Sequence, residues 1–177
     1  MAKKRLGKFK FGDRPAIVNS LPTKQYNIWS RMMNGDQNKI SENFKSYDYF
    51  YDWCLNQIGF SESGFGMTCE IISRDKFYSE DTCVFVPPEI LNQFAGGKTT
   101  DNGLPRGVAV KEHLKCGETS YKARITKKGR LYHIGIYRSV DAALKAYESE
   151  KSQYLRELAE HHKESIDHRA YQALINY

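Results

Sequence analysis

Hydrophobic and polar positions alternate in steps of two from Tyr121 onward. Tyr121, Ala123 and Ile125 fall on one face of a strand, and Lys122, Arg124 and Thr126 fall on the other. Lys127-Lys128-Gly129-Arg130 supplies a glycine where a hairpin reverses, and Tyr132, Ile134 and Ile136 repeat the alternation on the return strand. At Ser139 the period changes to that of a helix. Ser139 is a capping residue, Asp141 suits the positive end of the helix dipole, and Ala143, Ala146, Tyr147, Glu150, Tyr154 and Leu158 lie along one stripe. A further helical stretch carrying Ile166, Ala170 and Leu174 follows Lys163, with a break possible at His161-His162.

The pattern in the first half is more helical. Over residues 23–33, Tyr26, Trp29 and Met33 recur at three- and four-residue steps, which predicts a short helix ended by Asn34-Gly35-Asp36. A second helix is predicted over 41–58, with Phe44, Tyr47, Tyr51, Cys54 and Ile58 as its core-facing seam. Residues 64–88 then read as two short strands, "GMTCEIISR" and "TCVFVPP", around a polar turn at 75–81. Pro87-Pro88 stops the second strand and opens a brief helix through Phe94. The stretch "AGGKTTDNGLPR" reads as a flexible connection. These elements predict an α+β chain: a basic arm at 1–20, a helical module with a small ββα unit at 21–95, a linker at 96–105, and a three-stranded antiparallel sheet packed on a long helix at 106–177.

Charge changes this picture because it is unevenly placed. The net charge is +6, but residues 1–14 carry +5 and residues 106–138 carry +7, while 15–104 carry −4 and 139–177 carry −2. Positive charge concentrated in an arm and a sheet points to a polyanion partner. No apolar run approaches the roughly 20 residues of a membrane span, and the N-terminus lacks the apolar segment of a signal peptide. A cytoplasmic location without membrane attachment is therefore expected. Cys54, Cys69, Cys83 and Cys116 show none of the close pairs that mark zinc ribbons and read as reduced structural thiols, with metal binding by Cys69 and Cys83 the weaker alternative.

Gly107-Val108, Tyr121-Lys122-Ala123-Arg124-Ile125, Gly129-Arg130, His133-Ile134-Gly135, Ala142-Ala143 and Ala146-Tyr147 occur in an order and spacing that resembles the Apetala/ethylene-response-factor type of DNA-binding domain over about forty residues. The resemblance implies a three-stranded sheet on one helix, with the open sheet face in the major groove of double-stranded DNA, a groove that admits a β-ribbon. Arg106 then matches the arginine before the family's Gly-Val, Tyr121 its second-strand aromatic residue, and His133 its groove-facing tryptophan. Ala109, Thr126 and Leu131 stand where plant relatives often carry arginine, so their base preference does not carry over. The candidates for phosphate and base contacts are Arg106, Lys111, Lys122, Arg124, Lys128, Arg130 and His133. Tyr121 joins them through the resemblance, and Arg124 and Arg130 are the expected base readers because a guanidinium fork matches the guanine edge.

"YNIWSRMM", "SYDYFYDW" and "FYSEDTCVFVPPEI" resemble the phage HNH-type homing endonucleases that carry such a domain at the C-terminus. An HNH site uses a general base, usually histidine, and one divalent cation, Mg²⁺ or Mn²⁺, at the scissile phosphate. This chain has no histidine before His113. In register with the family, Thr68 replaces an aspartate, Cys69 a lysine, and Glu70 keeps a carboxylate. Leu91 stands where an asparagine is expected, with Asn92 adjacent. Glu70 is thus the catalytic candidate, and Glu70, Asp81 and Asn92 are the metal candidates, with Asp75 behind them. Glu70 stands out because it is predicted inside a strand. His161, His162 and His168 read as exposed groups beyond the linker. The missing histidine separates the expectation of DNA binding from that of cleavage. It leaves an alternative in which the chain is a non-catalytic phage regulator or inhibitor whose acidic first domain binds a host protein.

Overall fold

A computed structural model describes residues 12–96, 103–111 and 119–177. The basic arm through residue 11, linker residues 97–102, His113 and Cys116 lie outside the described residues. The described residues form five helices and three small antiparallel sheets, a mixed α and β architecture. They belong to two compact units, Met1–Pro87 with Glu164–Ala170, and Pro88–Lys163 with Tyr171–Tyr177.

The first unit begins with a two-residue hairpin of β1 (Ile17–Val18) and β2 (Leu21–Pro22), turned at Asn19 and Ser20, both with positive φ. Its base is held firmly: the Asp48 carboxylate accepts from the N–H groups of Asp13 and Arg14 at 3.0 Å, and the Tyr47 hydroxyl donates to the Pro15 carbonyl at 2.9 Å. Helix α1 (Lys24–Met33) starts where the Thr23 hydroxyl accepts from Tyr26 N–H, as the pattern predicted. Trp29 is fully buried and its indole N–H donates to the Phe44 carbonyl at 2.8 Å, so the largest apolar side chain leaves no polar atom unpaired.

The helix predicted over 41–58 is broken in two. Asn43–Lys45 is a single 3₁₀ turn, and the Ser46 hydroxyl accepts from Tyr49 N–H to start helix α2 (Tyr47–Leu55) afresh. Phe44, Tyr47 and Cys54 of the predicted seam are completely buried and Phe50 joins them, whereas Ile58, expected inward, lies beyond the helix end at Leu55 and is 54% exposed. Strands β3 (Gly66–Thr68) and β4 (Val84–Val86) pair antiparallel with Met67 opposite Phe85. The first is shorter than predicted because the Thr68 hydroxyl accepts from Glu70 N–H and the Cys69 carbonyl accepts from Ser73 N–H at 2.8 Å, which closes a turn. Glu70 therefore lies in a turn and not in a strand.

The second unit opens with helix α3 (Pro88–Phe94). Strands β5 (Val108–Lys111), β6 (Ser120–Lys127) and β7 (Arg130–Tyr137) form one sheet in that order. Lys128 and Gly129, at φ 49° and 73°, make the two-residue turn between β6 and β7, whose left-handed backbone matches the twist of the strands. Helix α4 (Val140–His161), capped by Ser139 on Ala142 N–H at 3.2 Å, lies across one side of the sheet and buries Ala143 and Tyr147 with Val108, Ala123 and Ile125. Gly107, at φ 83°, lets the chain pass the Tyr147 ring, since a Cβ there would sit 2.2 Å from it. The chain does break at His161-His162, which the sequence pattern left open: His162 caps α4, and α5 (His168–Ile175) follows.

The return strand departs from the predicted alternation. Ala123 faces Gly135 but its neighbour Arg124 faces His133, so Ile134 is an extra residue, a β-bulge. The bulge shifts the phase by one residue. Tyr132 is opposite Ile125 on the helix side, whereas Ile136 is opposite Lys122 on the outward side, where it is 47% exposed.

Candidate nucleic-acid interface

Residues directly opposite one another in an antiparallel sheet share a face, so the register sorts the cations. Lys111 lies opposite Ser120, Lys122 opposite Ala109 and Ile136, and Arg124 opposite His133. All of these point away from α4, together with Thr126 and its partner Leu131. Arg124 and His133 are exposed, and Lys122 and Lys111 are half-buried. The three strands, spaced about 4.8 Å apart, make a platform about 10 Å across.

The helix side is electrostatically different. Lys127 Nζ meets Glu150 Oε1 of α4 at 2.6 Å and lies 5.0 Å from the Tyr154 ring centre, so this cation is neutralised where it stands. Burial pushes the Tyr154 phenol up, and its oxygen accepts from the Lys128 N–H at 3.2 Å, which anchors the hairpin turn to the helix.

Not every predicted contact shares the outward face. Arg130 is opposite Lys127, which places it on the helix-side parity at the exposed hairpin tip, beside Lys128. Tyr121 is opposite Val110 and Tyr137 on the packing side and is half-buried. Arg106 is half-buried ahead of β5 and donates from Nη2 to the Asn92 carbonyl at 3.0 Å. Arg106, Arg124 and Lys128 nevertheless line one cavity of about 570 Å³, together with Asn92, Gln93 and Tyr147. The cavity exists because β5 begins only at Val108, leaving the edge of β6 beyond Arg124 without a strand partner. Gln93 of α3 covers that edge by donating to the Thr126 carbonyl at 3.1 Å.

Sequence reasoning missed Leu131 and Ile136 as members of the outward face. Leu131 follows from strict alternation with Tyr132, but Ile136 is placed there only by the bulge, which leaves no mark in an apolar repeat.

The predicted metal candidates are divided between the units, Glu70 and Asp81 in the first and Asn92 in the second. The Glu70 carboxylate is held by Lys76 Nζ at 2.9 Å. Asp81 is exposed in a turn of the first unit, and Asn92 is exposed on α3 in the second. Among the described residues no group of three or more His, Cys, Asp or Glu is arranged to hold a metal ion. Among the described residues the donors do not assemble into a set that would hold the divalent cation the HNH resemblance implies. His168, read from sequence as lying beyond the linker, belongs to the first unit, where its neighbour Arg169 pairs with Asp167 and donates to the Glu80 carbonyl at 2.8 Å. Cys54, Cys69 and Cys83 are free, buried thiols. Burial raises all three, Cys69 to about 11 and Cys83 to about 12, which disfavours the thiolate form that acts as a nucleophile.

Among the described residues no helix is long and apolar enough to cross a membrane. Comparison with known proteins finds no matching family model, no matching curated protein and no matching solved structure.

Proposed function

We propose that this chain is a sequence-preferring double-stranded DNA-binding protein of the phage HNH homing-endonuclease type, whose binding resides in the second unit. One observation carries the reading: the register gathers Lys111, Lys122, Arg124 and His133 on one side of the sheet, while the opposing Lys127 is neutralised by Glu150. A platform about 10 Å across suits a major groove about 12 Å wide. Arg124 is the guanine reader, its fork matching O6 and N7, with His133 beside it. Arg106, Lys128 and Arg130, at the rim and tip, take phosphates and fix the register on the duplex. Hydrolysis is not assigned, because Glu70 is paired with Lys76 and among the described residues no cation-binding set accompanies it.

Titrating the full chain onto a labelled duplex at increasing salt tests the reading. With about half of the nine cations of residues 106–138 on phosphates, log affinity falls against log salt with a slope of roughly −4, and a slope near zero overturns it. Supercoiled plasmid with Mg²⁺ or Mn²⁺ scores cleavage separately. Nicking that survives Glu70→Ala removes Glu70 from any hydrolytic role.

A second observation favours the regulator reading, in which the first unit docks on a host protein. The anchored hairpin holds Ile17, Val18 and Leu21 at 63%, 50% and 70% exposure, an apolar rib on an otherwise acidic region. A bacterial protein recovered after nuclease treatment by the native chain, but not by an Ile17→Ser/Leu21→Ser variant, supports that reading.

A further inference from the structure

The outward face holds more than cations. Leu131 is 62% exposed and Ile136 47%, and they do not adjoin each other. Register places them on either side of the Arg124–His133 pair: Thr126 and Leu131 form the row toward the hairpin turn, and Lys122 with Ala109 and Ile136 forms the row toward the other end. Two alkyl-bearing rows therefore bracket one guanidinium-bearing row. Apolar groups add nothing to a phosphate contact, but beside a base-reading guanidinium they lie where the edges of neighbouring bases would meet them.

We propose that this face reads thymine methyl groups on both sides of the guanine taken by Arg124. The inference rests on the duplex-binding reading above and adds the identity of the bases. In the major groove thymine alone presents a C5 methyl, which is recognised by apolar contact. Successive outward side chains on one strand are about 6.8 Å apart, the distance of two base steps of about 3.4 Å. With β6 laid along the groove, Leu131 with the Thr126 methyl meets one thymine, and Ile136 with Ala109 meets another, each about two base pairs from the guanine. The preferred site is thus a G·C pair flanked at that spacing by A·T pairs, each thymine on whichever strand brings its methyl to the alkyl row. Arg124 sets the centre, and Leu131 and Ile136 set the flanks.

The experiment uses the full chain. A preferred duplex is selected from a random library, and each thymine in it is then replaced singly by uracil, which removes the methyl and leaves every hydrogen-bonding group in place. Two positions are expected to respond, each with affinity about fourfold weaker, the worth of one buried methyl-sized group. In Leu131→Ala the response vanishes at one position, and in Ile136→Ala at the other, and each alanine substitution weakens binding to the thymine duplex more than to the doubly uracil-substituted one. Arg124→Ala loses the guanine preference but keeps the response to uracil. Both alkyl side chains are largely exposed, so the alanine variants keep the fold, and an unchanged salt slope verifies it. Selective binding that is indifferent to uracil everywhere, or a response that survives both alanine variants, overturns the inference and leaves the duplex reading standing. No duplex binding at low salt overturns the reading itself.

Discussion

The two units dispose of their apolar surface in opposite ways. In the first, Trp29, Phe44, Tyr47 and Phe50 are completely buried and their rings touch edge to face, with Phe44 5.1 Å from Phe50 and Trp29 5.4 Å from Tyr47. The second buries one side of its sheet against Ala143 and Tyr147 and leaves the other side open, with Leu131 and Ile136 among cations. A closed aromatic core supplies stability, whereas the open mixed face is the one proposed for recognition. The same chemical class of side chain therefore predicts different experimental consequences according to the unit that holds it.

The largest effect expected is on stability. Trp29→Ala removes a fully buried indole and leaves the Phe44 carbonyl without its donor, so chemical denaturation should show a loss of about 3–5 kcal/mol in the first unit. Duplex affinity at low salt should hardly change, and a parallel fall in affinity would break the division of labour. Arg124→Ala should do the reverse. Exposed on the sheet, it should leave the unfolding midpoint nearly unmoved while binding to a preferred duplex weakens by about 1–3 kcal/mol with relaxed choice at one position.

A smaller effect compares the two sides of the sheet. Lys122→Ala should reduce the magnitude of the salt slope by about one, because the side chain faces the open side. Lys127→Ala, whose charge is already taken by Glu150, should leave the slope unchanged. Equal changes would show that both sides meet the polyanion.

The smallest expected effect concerns His162, 3.9 Å from Glu89. Burial holds this imidazole below its ordinary pKa, helped by His161 and Lys128, while Glu89 pulls in the opposite sense. The unfolded chain then takes up the proton first. Stability of the second unit should be complete above about pH 6.5 and fall as the pH drops through that value toward the lower folded pKa. Thermal unfolding of His162→Gln against the native chain between pH 7.5 and 5 should show a flatter profile for the variant.

Local chemistry made much of this fold legible. Lys128-Gly129 marks its turn because two consecutive left-handed residues suit few sequences, and Thr23 and Ser139 mark helix starts because their hydroxyls replace missing backbone partners. The misreadings share a physical origin in side chains that compete with the backbone or in residues that slip a register. Ser46 interrupts an apolar stripe that reads as continuous, and Thr68 ends a strand whose apolar run continues to Ile72. The candidate interface was legible as a set of cations, but its composition was not. Arg130 lies on the other parity from Arg124, and Tyr121 on the packing side opposite Val110 and Tyr137, relations that depend on strand register.

Ile134 gives the return strand an unusual tolerance. As the unpaired residue of the bulge, it is the position in β7 whose deletion would keep His133 opposite Arg124 and Gly135 opposite Ala123 and make the ladder uninterrupted, with no side chain changing faces. A deletion at any other position between Arg130 and His133 would turn part of the strand over. Length variation in this strand should therefore concentrate at residue 134, where a codon can be lost while the lettering of the face is kept.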